Sequence, residues 1–123
     1  MECRCIIVDD NLDFLVAARD LLTREGIEVV GLASTSAEAI AAVRDLQPDV
    51  VLVDFYLGDE SGLELARRLR DGSGPGDPAI ILISTYSERD LGELVVDTPA
   101  VAFLTKAELN GDSIRSKLNL AEG

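Results

Sequence analysis

The chain has 123 residues, 47% of them hydrophobic, enough to bury the core of one ordinary domain, and a single domain over 1–123 is expected. Its 11 basic and 23 acidic residues leave a formal charge of -12, which repels polyphosphate backbones and acidic lipid surfaces and argues against direct nucleic-acid or membrane binding. The absence of His excludes serine-type triads and any imidazole base or phosphocarrier within this chain.

The first apolar run, CRCIIV from Cys3 to Val8, reads as a strand that stops at Asp9 and Asp10. Cys3 and Cys5 lie two apart on it, so their side chains share a face and pack rather than bridge. Two Cys without His are also too few ligands for a structural zinc. Phe14, Leu15, Ala18, Leu21 and Leu22 then recur at helical spacing until Gly26. IEVVGLAS reads as the second strand, and a helix opened by Ser36 and Glu38 places Ile40, Ala41 and Val43 on a buried side before Pro48. VVLVDF, ending its apolar run at Asp54, is the third strand; from Ser61 the pattern turns helical through Leu65, Ala66 and Leu69. DGSGPGDP is loop by composition, AIILIS is a fourth strand ending at Ser84, and a shorter helix is expected over 88–96. VAFLTK is the fifth strand, stopping at Lys106, and Ile114 with Leu118 marks a last helix.

No apolar run approaches the roughly 20 residues needed to cross a bilayer. The start of the chain, with acidic Glu2, lacks a basic leader, so the expected location is cytoplasmic. Five alternating strand and helix units with uninterrupted β-branched strands call for a parallel sheet covered by helices on both faces, an α/β three-layer fold. The carboxyl ends of such strands lie along one edge, where open α/β sheets place their chemistry. Asp9, Asp10, Asp54, Ser84 and Lys106 would converge there, a group able to hold a divalent cation and a phosphoryl group together.

The acidic pair, Asp54 at the third strand end, Gly62 in the following turn, Ser84, and Lys106 in FLTK together resemble the receiver domain of two-component response regulators, over about Arg4 to Leu120. The resemblance implies a flavodoxin-like (βα)5 fold with sheet order 2-1-3-4-5. It implies that Asp54 accepts a phosphoryl group, the carboxylate being nucleophile. It assigns Mg²⁺, with Mn²⁺ as a substitute, to Asp9, Asp10, Asp54 and the backbone carbonyl of Tyr56. Lys106, Ser84 and the backbone amide of Thr85 would bind the phosphoryl oxygens. Ser84 and Phe103 would act as the switch pair, shifting the face made of the fourth helix, fifth strand and fifth helix; the same face would serve a homodimer. The implied partners are a sensor histidine kinase or histidine phosphotransfer protein and a downstream protein target or output domain. Beyond its own phosphorylation and dephosphorylation the chain is not expected to be an enzyme.

Each residue also has a plainer reading: Asp10 or Asn11 as helix cap, Ser84 as turn residue, Lys106 and Asp54 as solvated charges, Phe103 as core. Their conjunction on one edge favours the site. Some positions depart from the family pattern. Ala107 follows Lys106 where Pro is usual, which leaves that loop's geometry open. Gly58 stands where Pro is common, so the loop after Asp54 is expected to be looser, and Thr85 replaces a smaller residue, narrowing the pocket. Tyr56 and Tyr86 flank the site and are expected to hinder attack by water, lengthening the life of a phosphorylated form. A haloacid-dehalogenase phosphatase would need a second Asp at the position of Tyr56, and a flavin site would need a Ser/Thr-rich phosphate loop after the first strand, where Asp9, Asp10, Asn11 and Leu12 stand. The serious alternative is a degenerate receiver, acting as a phosphorylation-independent protein-interaction module.

Overall fold

The structure, a computed structural model, describes residues 3–70, 78–85 and 102–122. The helix expected over 88–96, most of the Gly/Pro loop and Tyr86 fall outside the described residues. The main sheet has five parallel strands, β1 (Cys3–Val8), β2 (Ile27–Ala33), β3 (Val50–Asp54), β6 (Ala79–Ser84) and β7 (Ala102–Thr105), in the order β2-β1-β3-β6-β7. This is the order expected from the sequence. Two short strands missed by periodicity, β4 (Tyr56–Leu57) and β5 (Glu60–Ser61), pair antiparallel directly after Asp54. Two-residue strands are too short to leave a period in the sequence.

Helix α1 (Leu12–Arg24) sends Leu15, Ala18 and Leu22 into a cluster with Cys5, Ile7, Val50, Leu52, Ile81, Ile83 and Ile114. The C-terminal helix (Gly111–Glu122), which carries Ile114, covers the same face. Helices α2 (Ser36–Leu46) and α3 (Gly62–Arg70) cover the other, where Ala39, Leu65, Ala66 and Leu69 meet Ile6, Val8, Val51, Val53, Ile80 and Leu82. Alternate residues of each central strand therefore feed opposite cores, which is why β3 is buried from end to end. The α2 face differs from expectation. Ala39, Ala42, Val43 and Leu46 form the inward stripe at spacings of three and four, which turns Ile40 outward, 37% exposed.

Cys3 and Cys5 are both free thiols on the α1 face of the sheet, and burial raises the pKa of each, most strongly that of Cys5. Among the described residues no helix is long and apolar enough to cross a membrane.

The first helix is aimed by its cap. Asn11 is the N-cap, its Oδ1 accepting from the Phe14 N–H at 3.2 Å, so the capping role falls to Asn11 and not to Asp10. Asn11→Ala is expected to lower stability by about 1 kcal/mol in denaturant unfolding; an unchanged midpoint would show the cap to be dispensable.

Candidate functional site

Register brings the site together. Val8 pairs with Val53, and Asp54 pairs with Ile83, so Asp9 and Asp54 emerge side by side at the carboxyl edge. Ser84 pairs with Thr105, which sets Lys106 one residue beyond the end of β7. Backbone bonds pin these exits: the Asp9 N–H donates to the Ala33 carbonyl at 3.0 Å and the Phe55 N–H to the Ile83 carbonyl at 2.8 Å. Lys106 opens a single 3-10 turn (Lys106–Glu108) whose N-cap Thr105 and Glu108 form a reciprocal capping box. The Lys106–Ala107 peptide is trans, which settles the loop geometry left open by the missing Pro.

The two members of the acidic pair differ. Asp9 is completely buried and its Oδ1 accepts from the Asn11 N–H at 2.9 Å, whereas Asp10 is exposed. One carboxylate oxygen each from Asp9, Asp10 and Asp54 lies within 4.8 Å of the others. Lys106 Nζ sits 2.6 Å from Asp9 Oδ2 and 3.4 Å from Asp54 Oδ2. The Asp9 contact is an ion pair only, because among the described residues no donor is aligned on that buried Oδ2. Asp54, itself buried, also accepts from the Tyr56 N–H at 3.3 Å through Oδ1.

Two carboxylates share one ammonium, and the strain shows in Asp54. Burial, and then the charge of Asp9, push its pKa up to about 6, against the opposing pull of Lys106 and the Tyr56 N–H. Burial also disfavours the Lys106 ammonium, but the pull of the Asp9 and Asp54 carboxylates outweighs it and leaves its pKa raised. The lysine keeps its proton; Asp54 is the group that yields. Crowded hard oxygen donors, one of them buried with lone pairs unfilled, are the donor set that a small divalent cation takes.

The loop after Asp54, expected to be looser because of Gly58, folds into a short hairpin. Gly58 has φ of 62° at the first central position of the β4–β5 turn, a conformation closed to Pro. Glu60 Oε1 then accepts from the Ser36 N–H at 2.9 Å, tying the hairpin to the start of α2. Gly62 follows against the backbone: a Cβ built there would lie 1.8 Å from the Asp54 carbonyl oxygen.

Ser84 is buried at the end of β6 and Thr85 is exposed just beyond it. Phe103 is buried in the cluster on the α2 and α3 side, and Tyr56 is half exposed, its ring edge-on to Phe55 with centroids 5.0 Å apart. One neighbour carried no signal beyond helical spacing: the ring of Phe14, over which Lys106 Nζ lies 4.3 Å from the centroid.

A model of the response regulator receiver domain matches residues 5–119, nearly the whole chain. The chain belongs to that family. Among curated relatives, an uncharacterised response regulatory protein of Yersinia pestis is 42% identical over 86 residues, covering 69% of this chain and 35% of its own length. The DNA-binding transcriptional activator EvgA of Escherichia coli (strain K12) is 29% identical over 103 residues, 84% of this chain and 50% of that protein. The receiver thus spans half or less of the length of these relatives. Among solved structures, the receiver domain of the putative response regulator NarL from Mycobacterium tuberculosis superposes with a TM-score of 0.82 at 25% identity, covering 99% of this chain and 98% of that one. A response regulator of Burkholderia pseudomallei, solved with a phosphorylated aspartic acid, a calcium ion and citrate, gives 0.78 at 28% identity over 94% of this chain and 66% of that one.

Proposed function

We propose that this receiver accepts a phosphoryl group on Asp54 from a phosphohistidine of a partner sensor kinase or phosphotransfer protein and passes the signal to a protein target or an output domain. The observation that carries the reading is the convergence of Asp9, Asp10 and Asp54 within 4.8 Å around a single lysine. In the transfer, an Asp54 carboxylate oxygen forms the new bond to phosphorus as the phosphorus–nitrogen bond breaks, and the imidazole leaves with that electron pair. Lys106 and the Ser84 hydroxyl offer donors to the phosphoryl oxygens, and the Thr85 amide adds a third. A Mg²⁺ or Mn²⁺ ion held by Asp9, Asp10, Asp54 and the Tyr56 carbonyl would supply neutralisation of the charge gathered there.

The solved relative from Burkholderia pseudomallei, with its phosphorylated aspartate and calcium ion, supports both assignments. EvgA, described as a DNA-binding transcriptional activator, supports transcription as the downstream class. The acidic balance of this chain keeps DNA contact away from the receiver itself.

Incubation with Mg²⁺ and acetyl phosphate is expected to add one phosphoryl mass to the wild type and none to Asp54→Asn. A wild type that stays unlabelled by both acetyl phosphate and a cognate kinase would leave only the interaction-module reading standing.

A further inference from the structure

Nothing in the family pattern assigned above gives Phe14 a role, and its spacing reads simply as helix core. Its position says more. It is half-buried against the cluster under α1, with its backbone N–H fixed by the Asn11 cap, and the Lys106 ammonium lies over its ring 4.3 Å from the centroid. That is within the ~6 Å range in which a ring face attracts a cation. An ammonium has three donors on a flexible four-carbon stem. Asp9 Oδ2 at 2.6 Å and Asp54 Oδ2 at 3.4 Å engage it on one side, and the ring supplies a further face. The ammonium also stands by the amino end of α1, where the helix dipole disfavours a cation, so its seat there requires compensating attraction.

We propose that Phe14 is a positioning residue of the phosphoacceptor site, its ring face seating the Lys106 ammonium so that it stays aimed at Asp54. The inference rests on the function proposed above and adds to it. The two carboxylates hold the lysine by charge, and that charge is altered whenever they take a cation or a phosphoryl group. The quadrupole of the ring is not. Phe14 is therefore the part of the seat that persists while its partners change, and it limits the rotamer freedom Lys106 would otherwise regain.

Phe14→Leu keeps an apolar side chain under α1 and removes the ring face; Phe14→Tyr keeps the face. In metal-free wild type, the Lys106 ε-methylene resonance is expected upfield of its random-coil position through the ring current, and likewise in Phe14→Tyr, with the displacement lost in Phe14→Leu. Initial labelling by acetyl phosphate with Mg²⁺ is expected to fall about three- to tenfold in Phe14→Leu and to stay within about twofold of wild type in Phe14→Tyr. In a Lys106→Met background the leucine substitution should add no further loss. A wild-type Lys106 signal at its random-coil position, wild-type labelling by a folded Phe14→Leu, or a leucine effect that persists in full without Lys106 would each overturn the proposal. A wild type that never labels at all brings down the function proposed above instead, and the resonance measurement still decides the seat.

Discussion

Gly62→Ala is expected to cost about 3 kcal/mol of stability and to remove nearly all phosphate labelling, although residue 62 offers no functional group. A Cβ at this position would meet the Asp54 carbonyl oxygen at 1.8 Å, the Asp54 carbonyl carbon at 2.8 Å and the Phe55 Cα at 3.0 Å. All are backbone atoms, so no side chain can swing aside. The Gly62 N–H also donates to the Phe55 carbonyl at 3.0 Å, and α3 starts at Gly62, so relief must come from moving the helix or the end of β3. Either displaces Asp54 from Asp9 and Lys106, and phosphoryl transfer depends on that alignment. Gly31 is the natural comparison. A Cβ there would approach Leu46 Cδ1 at 3.1 Å, the far end of a flexible side chain, and Gly31→Ala is expected to be far milder. Denaturant unfolding and intact-mass labelling of the two variants separate these cases. A Gly62→Ala protein as stable and as readily labelled as wild type would mean that Asp54 does not depend on this packing.

The contrast between what the sequence announces and what it hides follows from range. Strand order and the edge position of Asp9, Asp54, Ser84 and Lys106 are legible because each is the punctuation of an apolar run, and parallel register carries the punctuation to one edge. The division of labour between Asp9 and Asp10 is not. Both residues lie just past the end of β1, and only the packed structure shows Asp9 sealed and Asp10 facing water. The outward turn of Ile40 is hidden for a similar reason, since Ala39 and Ile40 both fit a helical period and the sheet selects the stripe. The β4–β5 hairpin escaped because its strands are shorter than any period, and Gly58 supplies the left-handed conformation of its turn. Gly62 reads as a turn residue, yet its demand comes from the backbone of Asp54, which only the folded chain brings against it. Phe14 sits at a core spacing, and nothing nearby in sequence announces a lysine at position 106.

Charge crowding around the same lysine produces the second large effect, with opposite signs for its two sides. The folded-state pKa of Asp54, raised from an ordinary 3.8 to about 6, means that the folded protein binds a proton more tightly than the unfolded chain does. This group's contribution to stability is fully present below about pH 4 and is lost as pH rises through about 6. At neutral pH the metal-free wild type therefore carries a buried charge it would be more stable without. Asp54→Asn is expected to gain about 1 to 2 kcal/mol there, a figure discounted for residual solvent screening, and to lose that advantage near pH 4. Lys106→Met acts in the other direction. It strips the counter-charge from Asp9, which is completely buried, and is expected to cost about 2 to 3 kcal/mol at neutral pH. Unfolding in EDTA between pH 4 and 8 gives both differences. Added Mg²⁺ should then stabilise Lys106→Met more than wild type, because a cation entering among Asp9, Asp10 and Asp54 replaces the missing positive charge. Should Lys106→Met prove as stable as wild type in EDTA, or Asp54→Asn prove less stable at neutral pH, the crowding inferred from the 2.6 Å and 3.4 Å contacts would not exist in solution.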